Sequence, residues 1–206
     1  MPLPRNLALP PAMALLAAVV ALLPGLAAAH TGAGTAAGFV TGFLHPVFGP
    51  DHVVAMVAVG LWGAQLGAPA IWLLPIAFPL MMAIGGMLGV LGVPVPSVEI
   101  GIALSGIVLG LMVAFAVRPP LWVALVLVGA FAIFHGHAHG TELPSATDPF
   151  AYGIGFVVAT GRLHLAGILL GLAVATPLGE RAVRAAGAVI ALAGSWFLAG
   201  TLGLAA

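Results

Sequence analysis

Histidines and carboxylates are concentrated in two stretches of this sequence, HPVFGPDHVVAM and FHGHAHGTELP. In the first stretch Asp51 and His52 closely follow His45, and Met56 comes four residues after His52. Because positions i and i+4 share one face of an α-helix, His52 and Met56 would project together from a helix that begins near Asp51. The chain has no cysteine, and imidazoles and carboxylates without thiolates suit borderline divalent ions such as nickel, cobalt or zinc. These four residues are therefore predicted metal ligands.

The prolines of the first stretch predict a break between two helices. Proline lacks a backbone N–H and its ring clashes with the preceding turn, so the first helix is expected to end at the His45-Pro46 step. Asp51 would then lie in the first turn of the next helix, where the helix dipole favours a carboxylate. Helix capping alone would explain Asp51, but it leaves both neighbouring histidines unexplained.

The second stretch carries three histidines at alternate positions, followed by a glutamate. In a helix His135 and His139 lie on one face, Glu142 continues that face, and His137 points elsewhere. We expect His135, His139 and Glu142 to bind the same cation as the first stretch, with His137 as a further candidate. The alternatives are an exposed metal-scavenging tract and an interfacial segment that binds no ligand.

Two more polar residues lie in the apolar segment ATGRLHLAG. An arginine inside a membrane span predicts a carboxylate partner, so Arg162 is expected to pair with Asp51 or Glu142, unless it extends toward an interface. His164 is expected to line the path of the cation. Its alternative role is an ordinary hydrogen bond between helices.

Composition decides the class of protein. Of the 206 residues 63% are hydrophobic and only 5% are charged, with a formal net charge of zero. Soluble domains carry about 25% charged residues, so this chain is predicted to be an integral membrane protein in a lipid bilayer. The absence of a basic block argues against nucleic acid as a partner. The lack of cysteine excludes disulfides and Cys nucleophiles.

The N-terminus is typical of a signal peptide. Arg5 precedes an apolar run from Ala12 to Leu23, and small residues up to Ala29 offer a cleavage site. Cleavage of residues 1–29 would leave His30 as the mature N-terminus, where its α-amine and imidazole form a further candidate metal ligand. An uncleaved first membrane helix is the alternative, although the run is shorter than the ~20 residues that a span requires.

The remaining residues, 30–206, are predicted to form a single all-α transmembrane transport domain of about six spans. The expected spans are 33–66, broken at the His-Pro step, 69–91, 99–117, 121–139, 149–175 and 182–204. A periplasmic mature N-terminus would place Arg118, Arg181 and Arg184 on the cytoplasmic side, as the positive-inside rule requires. The first and fourth spans would then run in opposite directions, which suggests an inverted repeat, although the halves share no residue-level similarity.

The two histidine stretches and the later ATGRLHLAG resemble the HupE/UreJ family of nickel permeases over nearly the whole mature chain. The first family motif falls on His45, Pro46, Asp51, His52 and Met56. The second falls on His135, Gly136, Ala138, His139, Gly140 and Glu142, with His137 at a variable position. Arg162 departs from the family pattern, which has an apolar residue there. The first motif is also similar to the His-x4-Asp-His signature of a larger nickel/cobalt transporter family, with one extra residue in the spacer.

This resemblance implies a secondary transporter that imports Ni²⁺ across the bacterial inner membrane and supports hydrogenase or urease maturation. The transported ion, with cobalt as the alternative, would be the substrate, and no tightly bound cofactor is expected. A less favoured hypothesis is an intramembrane metalloenzyme that uses the same His, Asp and Glu residues to activate water or oxygen. The sequence leaves the oligomeric state open.

Overall fold

The computed structural model of the protein describes residues 35–143 and 148–204, and these are helical without any β-strand. The predicted all-helical class is therefore confirmed. The predicted signal peptide and His30 lie outside the described residues. The helices are α1 Thr35–Phe48, α2 Pro50–Leu66, α3 Ala70–Val90, α4 Val98–Ala114, α5 Leu121–Thr141, α6 Pro149–Gly171 with a 3₁₀ turn Leu172–Ala175, and α7 Pro177–Thr201.

Four segments are long and apolar enough to cross a membrane: α3, α5, α6 with its 3₁₀ turn, and α7. The pair α1 and α2, bent by 78°, would count as a fifth span, and α4 is a shorter apolar helix of 17 residues. The protein is thus a multi-pass membrane protein. Helix α7 begins at Pro177 rather than near residue 182, because Thr176 caps it by accepting a hydrogen bond from the Gly179 N–H.

The break in the first predicted span lies at Gly49, so its predicted position at the His-Pro step is wrong. Helix α1 continues through Pro46 to Phe48, which shows that its packing against α6 tolerates one proline. Gly49 adopts an extended backbone, φ −83° and ψ 104°, as expected for a residue that precedes a proline. Pro50 then occupies the first position of α2, where a missing N–H costs nothing.

The helices associate mainly in three sets. Helices α1 and α2 pack on α6, α3 packs on α5, and α4 packs on α7. Glycines let the backbones approach closely: Gly60 contacts the α6 backbone at Gly167, and Gly110 contacts α7 at Gly187. An inverted repeat would relate α1 and α2 to α5, α3 to α6, and α4 to α7. This exchange converts the first set into the second and leaves the third unchanged. The packing is therefore compatible with the expected inverted repeat.

Helix α2 occupies the centre of the bundle. The side chains of Met56, Val59 and Trp62 are fully buried, and α2 contacts α3, α4, α6 and α7. At its C-terminal half the Trp62 indole donates a hydrogen bond to the Val117 carbonyl at 2.9 Å, and the Gln65 amide donates to the Val113 carbonyl at 3.0 Å. These bonds hold α2 against α4 and so fix the height of the residues at its N-terminus. We call that end of the bundle the Asp51 end.

Candidate metal centre

Three histidines from three helices meet at the Asp51 end. One ring nitrogen from each of His45, His52 and His139 lies within 4.8 Å of the others. His45 lies near the end of α1, His52 near the start of α2, and His139 near the end of α5. The bend between α1 and α2 brings His45 back toward His52, with ring centroids 5.8 Å apart. We call these residues the three-histidine site.

Asp51 determines which nitrogen of His52 is available. The Nδ1–H of His52 donates to Asp51 Oδ1 at 2.9 Å, because a carboxylate can only accept. The lone pair of His52 is then on Nε2, which points into the three-histidine site. A carboxylate behind a ligating imidazole is the usual second partner in protein metal sites, where it fixes the tautomer and raises the ligand's basicity.

The His52 and His139 rings face each other through their Nε2 atoms, which lie 2.6 Å apart. Because His52 Nε2 carries a lone pair, His139 must donate the hydrogen of this contact. Two imidazole nitrogens bound to one first-row metal lie about 3 Å apart, given metal–nitrogen bonds of about 2 Å. A cation would therefore replace this hydrogen with little movement of the rings, while the hydrogen of neutral His139 moves from Nε2 to Nδ1, a tautomer shift that releases no net proton.

His135 lies one helical turn before His139, and its ring centroid is 4.9 Å from that of His52. The hydroxyl of Ser105 donates to the Ile102 carbonyl at 2.6 Å, so it must accept from His135 Nε2 at 2.9 Å. The lone pair of His135 is thereby left on Nδ1, which is buried and has no hydrogen-bond partner. Ser105 thus fixes the tautomer of His135, whose ring lies next to that of His52.

Aromatic rings of α6 close the side of the site. The Phe156 ring centroid lies 4.3 Å from that of His139, and Tyr152 lies 6.4 Å from His45. Both side chains are almost fully buried, which keeps the imidazoles in a low-dielectric environment. No motif of the sequence includes these two aromatic residues. A signal was present, because Tyr152, Phe156, Thr160 and His164 follow one another at intervals of four residues.

Residues 17–197 match the protein family described as HupE / UreJ protein. The chain belongs to the HupE/UreJ family. It is 47% identical over 178 residues to Protein HupE of Rhizobium leguminosarum bv. viciae, covering 86% of this chain and 93% of that protein. No solved structure shows a significant match. The family is associated with nickel and cobalt transport, which agrees with a metal transporter rather than an enzyme.

In this HupE/UreJ protein three other predicted ligands, Met56, Glu142 and His164, are not part of the three-histidine site. Met56 is fully buried one turn after His52, in the hydrophobic core. Glu142 is exposed just beyond α5 and is close enough to His45 to act on it electrostatically. His164 lies deeper in the bundle, where its ring is 5.3 Å from that of Phe78.

Two predicted roles need correction in this family member. His137 Nε2 donates to the Val93 carbonyl at 2.9 Å, so this imidazole holds the end of α5 against the loop after α3 and lies outside the three-histidine site. Arg162 is exposed on the outer surface of α6 and lies 5.4 Å from the centre of the Phe43 ring. Within the described ranges it forms no ion pair with Asp51 or Glu142, because its helix face points away from both.

Glu99 is a further carboxylate beside Asp51 in this HupE/UreJ protein, and the sequence motifs do not include it. Glu99, near the start of α4, and Asp51 line one cavity of about 290 Å³ between α2, α4 and the end of α7. Two carboxylates on one cavity wall attract cations, and Asp51 connects that cavity directly to His52. A signal was available, because Glu99 is the acidic residue in the first turn of a predicted span.

Proposed function

We propose that this protein is a secondary permease that imports Ni²⁺ across the bacterial inner membrane and supplies hydrogenase or urease maturation. The observation that carries the proposal is the convergence of three imidazoles, one held by a carboxylate, inside a multi-pass membrane protein. Ionisable groups are costly in a bilayer and usually mark an ion pathway. The donor set of nitrogen and oxygen atoms suits nickel, with cobalt as the alternative cargo.

The proposed topology has six spans after a cleaved signal peptide, with the mature N-terminus in the periplasm. The Asp51 end then faces the periplasm, since α2, α4 and α6 begin there and α3, α5 and α7 end there. Helix α4 has 17 residues, fewer than the ~20 that cross a bilayer, and the first span is broken at Gly49. Both are compatible with membrane spans whose exposed backbone is covered by neighbouring helices. Mass spectrometry of the mature protein tests the cleavage, and an N-terminal Met1 peptide would contradict it.

The proposed path begins at the cavity lined by Asp51 and Glu99, where the carboxylates attract a hydrated cation. Glu142 adds negative charge on the side of His45. The ion then exchanges bound water for the imidazoles of His45, His52 and His139, and the hydrogen of His139 moves from Nε2 to Nδ1 as the metal binds. A carrier needs exchangeable rather than tight binding, and the partial exposure of His45 leaves one side of the ion accessible.

Radioactive nickel uptake by cells that express the full chain tests this function. His52→Ala should abolish uptake at trace nickel, because it removes one imidazole and leaves Asp51 without its hydrogen-bond donor. His137→Gln is the matched control, since it removes a buried histidine outside the three-histidine site and keeps a donor for the Val93 carbonyl. Equal uptake by wild type and His52→Ala would overturn the proposal. Excess cobalt and zinc, added as competitors, would identify the preferred ion.

A further inference from the structure

Two buried side chains near the middle of α6 have no hydrogen-bond partner within residues 35–143 and 148–204. Thr160 is fully buried and His164 is 1% exposed, and the Thr160 hydroxyl and both ring nitrogens of His164 are unpaired. Unpaired buried polar groups are rare in proteins, and they are especially costly in a membrane. His164 forms no hydrogen bond with another side chain in the described part of the chain.

A backbone carbonyl adds a third polar atom. Pro79 has no N–H, so the carbonyl of Pro75, four residues earlier in α3, cannot form its normal helical hydrogen bond. The His164 ring packs against Phe78, three residues after Pro75, so this carbonyl belongs to the part of α3 that neighbours the imidazole. A carbonyl that lacks its helical hydrogen bond, a hydroxyl and an imidazole therefore lie in the same part of the bundle interior.

One face of α6 connects this region to the three-histidine site. Phe156, Thr160 and His164 follow at intervals of four residues and are all buried. Phe156 contacts the His139 ring, and the eight residues from Phe156 to His164 correspond to about 12 Å along the helix.

The Phe78 ring separates the two regions. Its centroid lies 5.7 Å from that of His135 and 5.3 Å from that of His164. An ion that leaves the three-histidine site by way of His135 would have to pass this ring to reach His164.

We propose that His164, Thr160 and the Pro75 carbonyl form a second, inner binding station for the transported divalent cation. This inference rests on the proposed function, which it deepens by adding a stage between capture and release. The two stations are occupied in turn, because two divalent ions held in one low-dielectric bundle interior repel each other strongly. The inner station binds the ion more weakly, since it offers one imidazole and two neutral oxygens.

Equilibrium dialysis of the purified full chain with radioactive nickel tests the inner station. His52→Ala disables the three-histidine site, so it should retain one weaker site per chain. His52→Ala combined with His164→Gln should bind no nickel above the background of the detergent, whereas His52→Ala combined with His137→Gln should keep the weaker site. Glutamine retains most of the volume of histidine, which limits the risk of misfolding.

Uptake measurements complete the test. His164→Gln alone should bind nickel as wild type does and yet show strongly reduced uptake, and its intact three-histidine site reports that the chain is folded. Thr160→Val should weaken the residual site of His52→Ala, and Thr160→Ser should restore it. The inner station is overturned if His52→Ala binds nickel equally with and without His164→Gln, or if His164→Gln transports normally. Failure of the proposed function is a separate outcome, namely a wild-type protein that takes up no nickel.

Discussion

The two histidine-bearing regions of the bundle differ in how their polar atoms are satisfied. At the Asp51 end, each of His52, His135 and His139 has at least one ring nitrogen in a hydrogen bond. His135 Nδ1 and His139 Nδ1 are buried without a partner in the described residues. Around His164 the polar atoms are buried and unpaired. The first region is organised before any ion arrives, and such organisation favours capture at low concentration. In the proposed inner station the polar atoms of the second region would gain partners when an ion binds.

The largest expected effect is the loss of a histidine from the organised region. His139→Ala removes both a ligand and the hydrogen-bond partner of His52, and should lower nickel uptake by about 100-fold or more, beyond the 10–100-fold typical of second partners. Nickel uptake by cells at trace concentration measures it. Uptake close to that of wild type would show that the imidazoles do not act together.

A smaller loss is expected when the carboxylate behind His52 becomes an amide. Asp51→Asn can still accept a hydrogen bond but carries no charge, so nickel affinity should fall by about 10–100-fold. Isothermal titration of the purified protein with nickel measures it. Asp148→Asn is the matched control, because Asp148 caps α6 through hydrogen bonds from Phe150 N and Ala151 N, which asparagine also accepts. Equal losses in both variants would refute a specific role for Asp51.

Ser105→Ala should have a moderate effect. It frees His135 Nε2, so the ring can adopt either tautomer and no longer presents its Nδ1 lone pair at all times. Uptake should fall by a few-fold, about 1 kcal/mol for one lost hydrogen bond, while folding is retained. Ser195→Ala is the control, since Ser195 bonds only to the Ala191 carbonyl of its own helix. If both serine variants transport alike, Ser105 has no positioning role.

The smallest effect is expected at Arg162, which belongs to neither region. Arg162→Leu should leave nickel uptake unchanged, because the guanidinium contacts the Phe43 ring on the outer surface of α6 and no ligand. Uptake and the expression level should be measured together, so that a change in protein amount is not mistaken for a change in transport. A large loss of uptake per molecule would instead support the ion pair with Asp51 or Glu142 that the sequence predicted.

The spacing of residues in the sequence predicted which residues form the organised region. It predicted less well how these residues are arranged in space. The i and i+4 relation between His135 and His139 needs only one helix, so the sequence reveals it. The position of the break depends on how α1 packs against α6, and the proline rule therefore misplaced it at His45 instead of Gly49.

Long-range packing explains what the sequence did not show. Glu99 and Asp51 share a cavity because α2 and α4 pack together, and no spacing rule relates two such helices. The orientation of Arg162 depends on which face of α6 the other helices cover. Ser105 has no signal of its own, because an apolar helix with one serine is common in membranes.

The break at Gly49 places His45 and His52 on two separate helices. His52 and His139 are carried by helices that lie inside the bundle, whereas His45 is carried by α1, which meets α2 at 78° and is joined to it by a single extended residue. A small rotation of α1 would lower the coordination number of a bound ion by one without moving the other two imidazoles. Ion release would then proceed one bond at a time. The residence time of the bound ion would depend on the mobility of the junction at Gly49 as well as on the ligands.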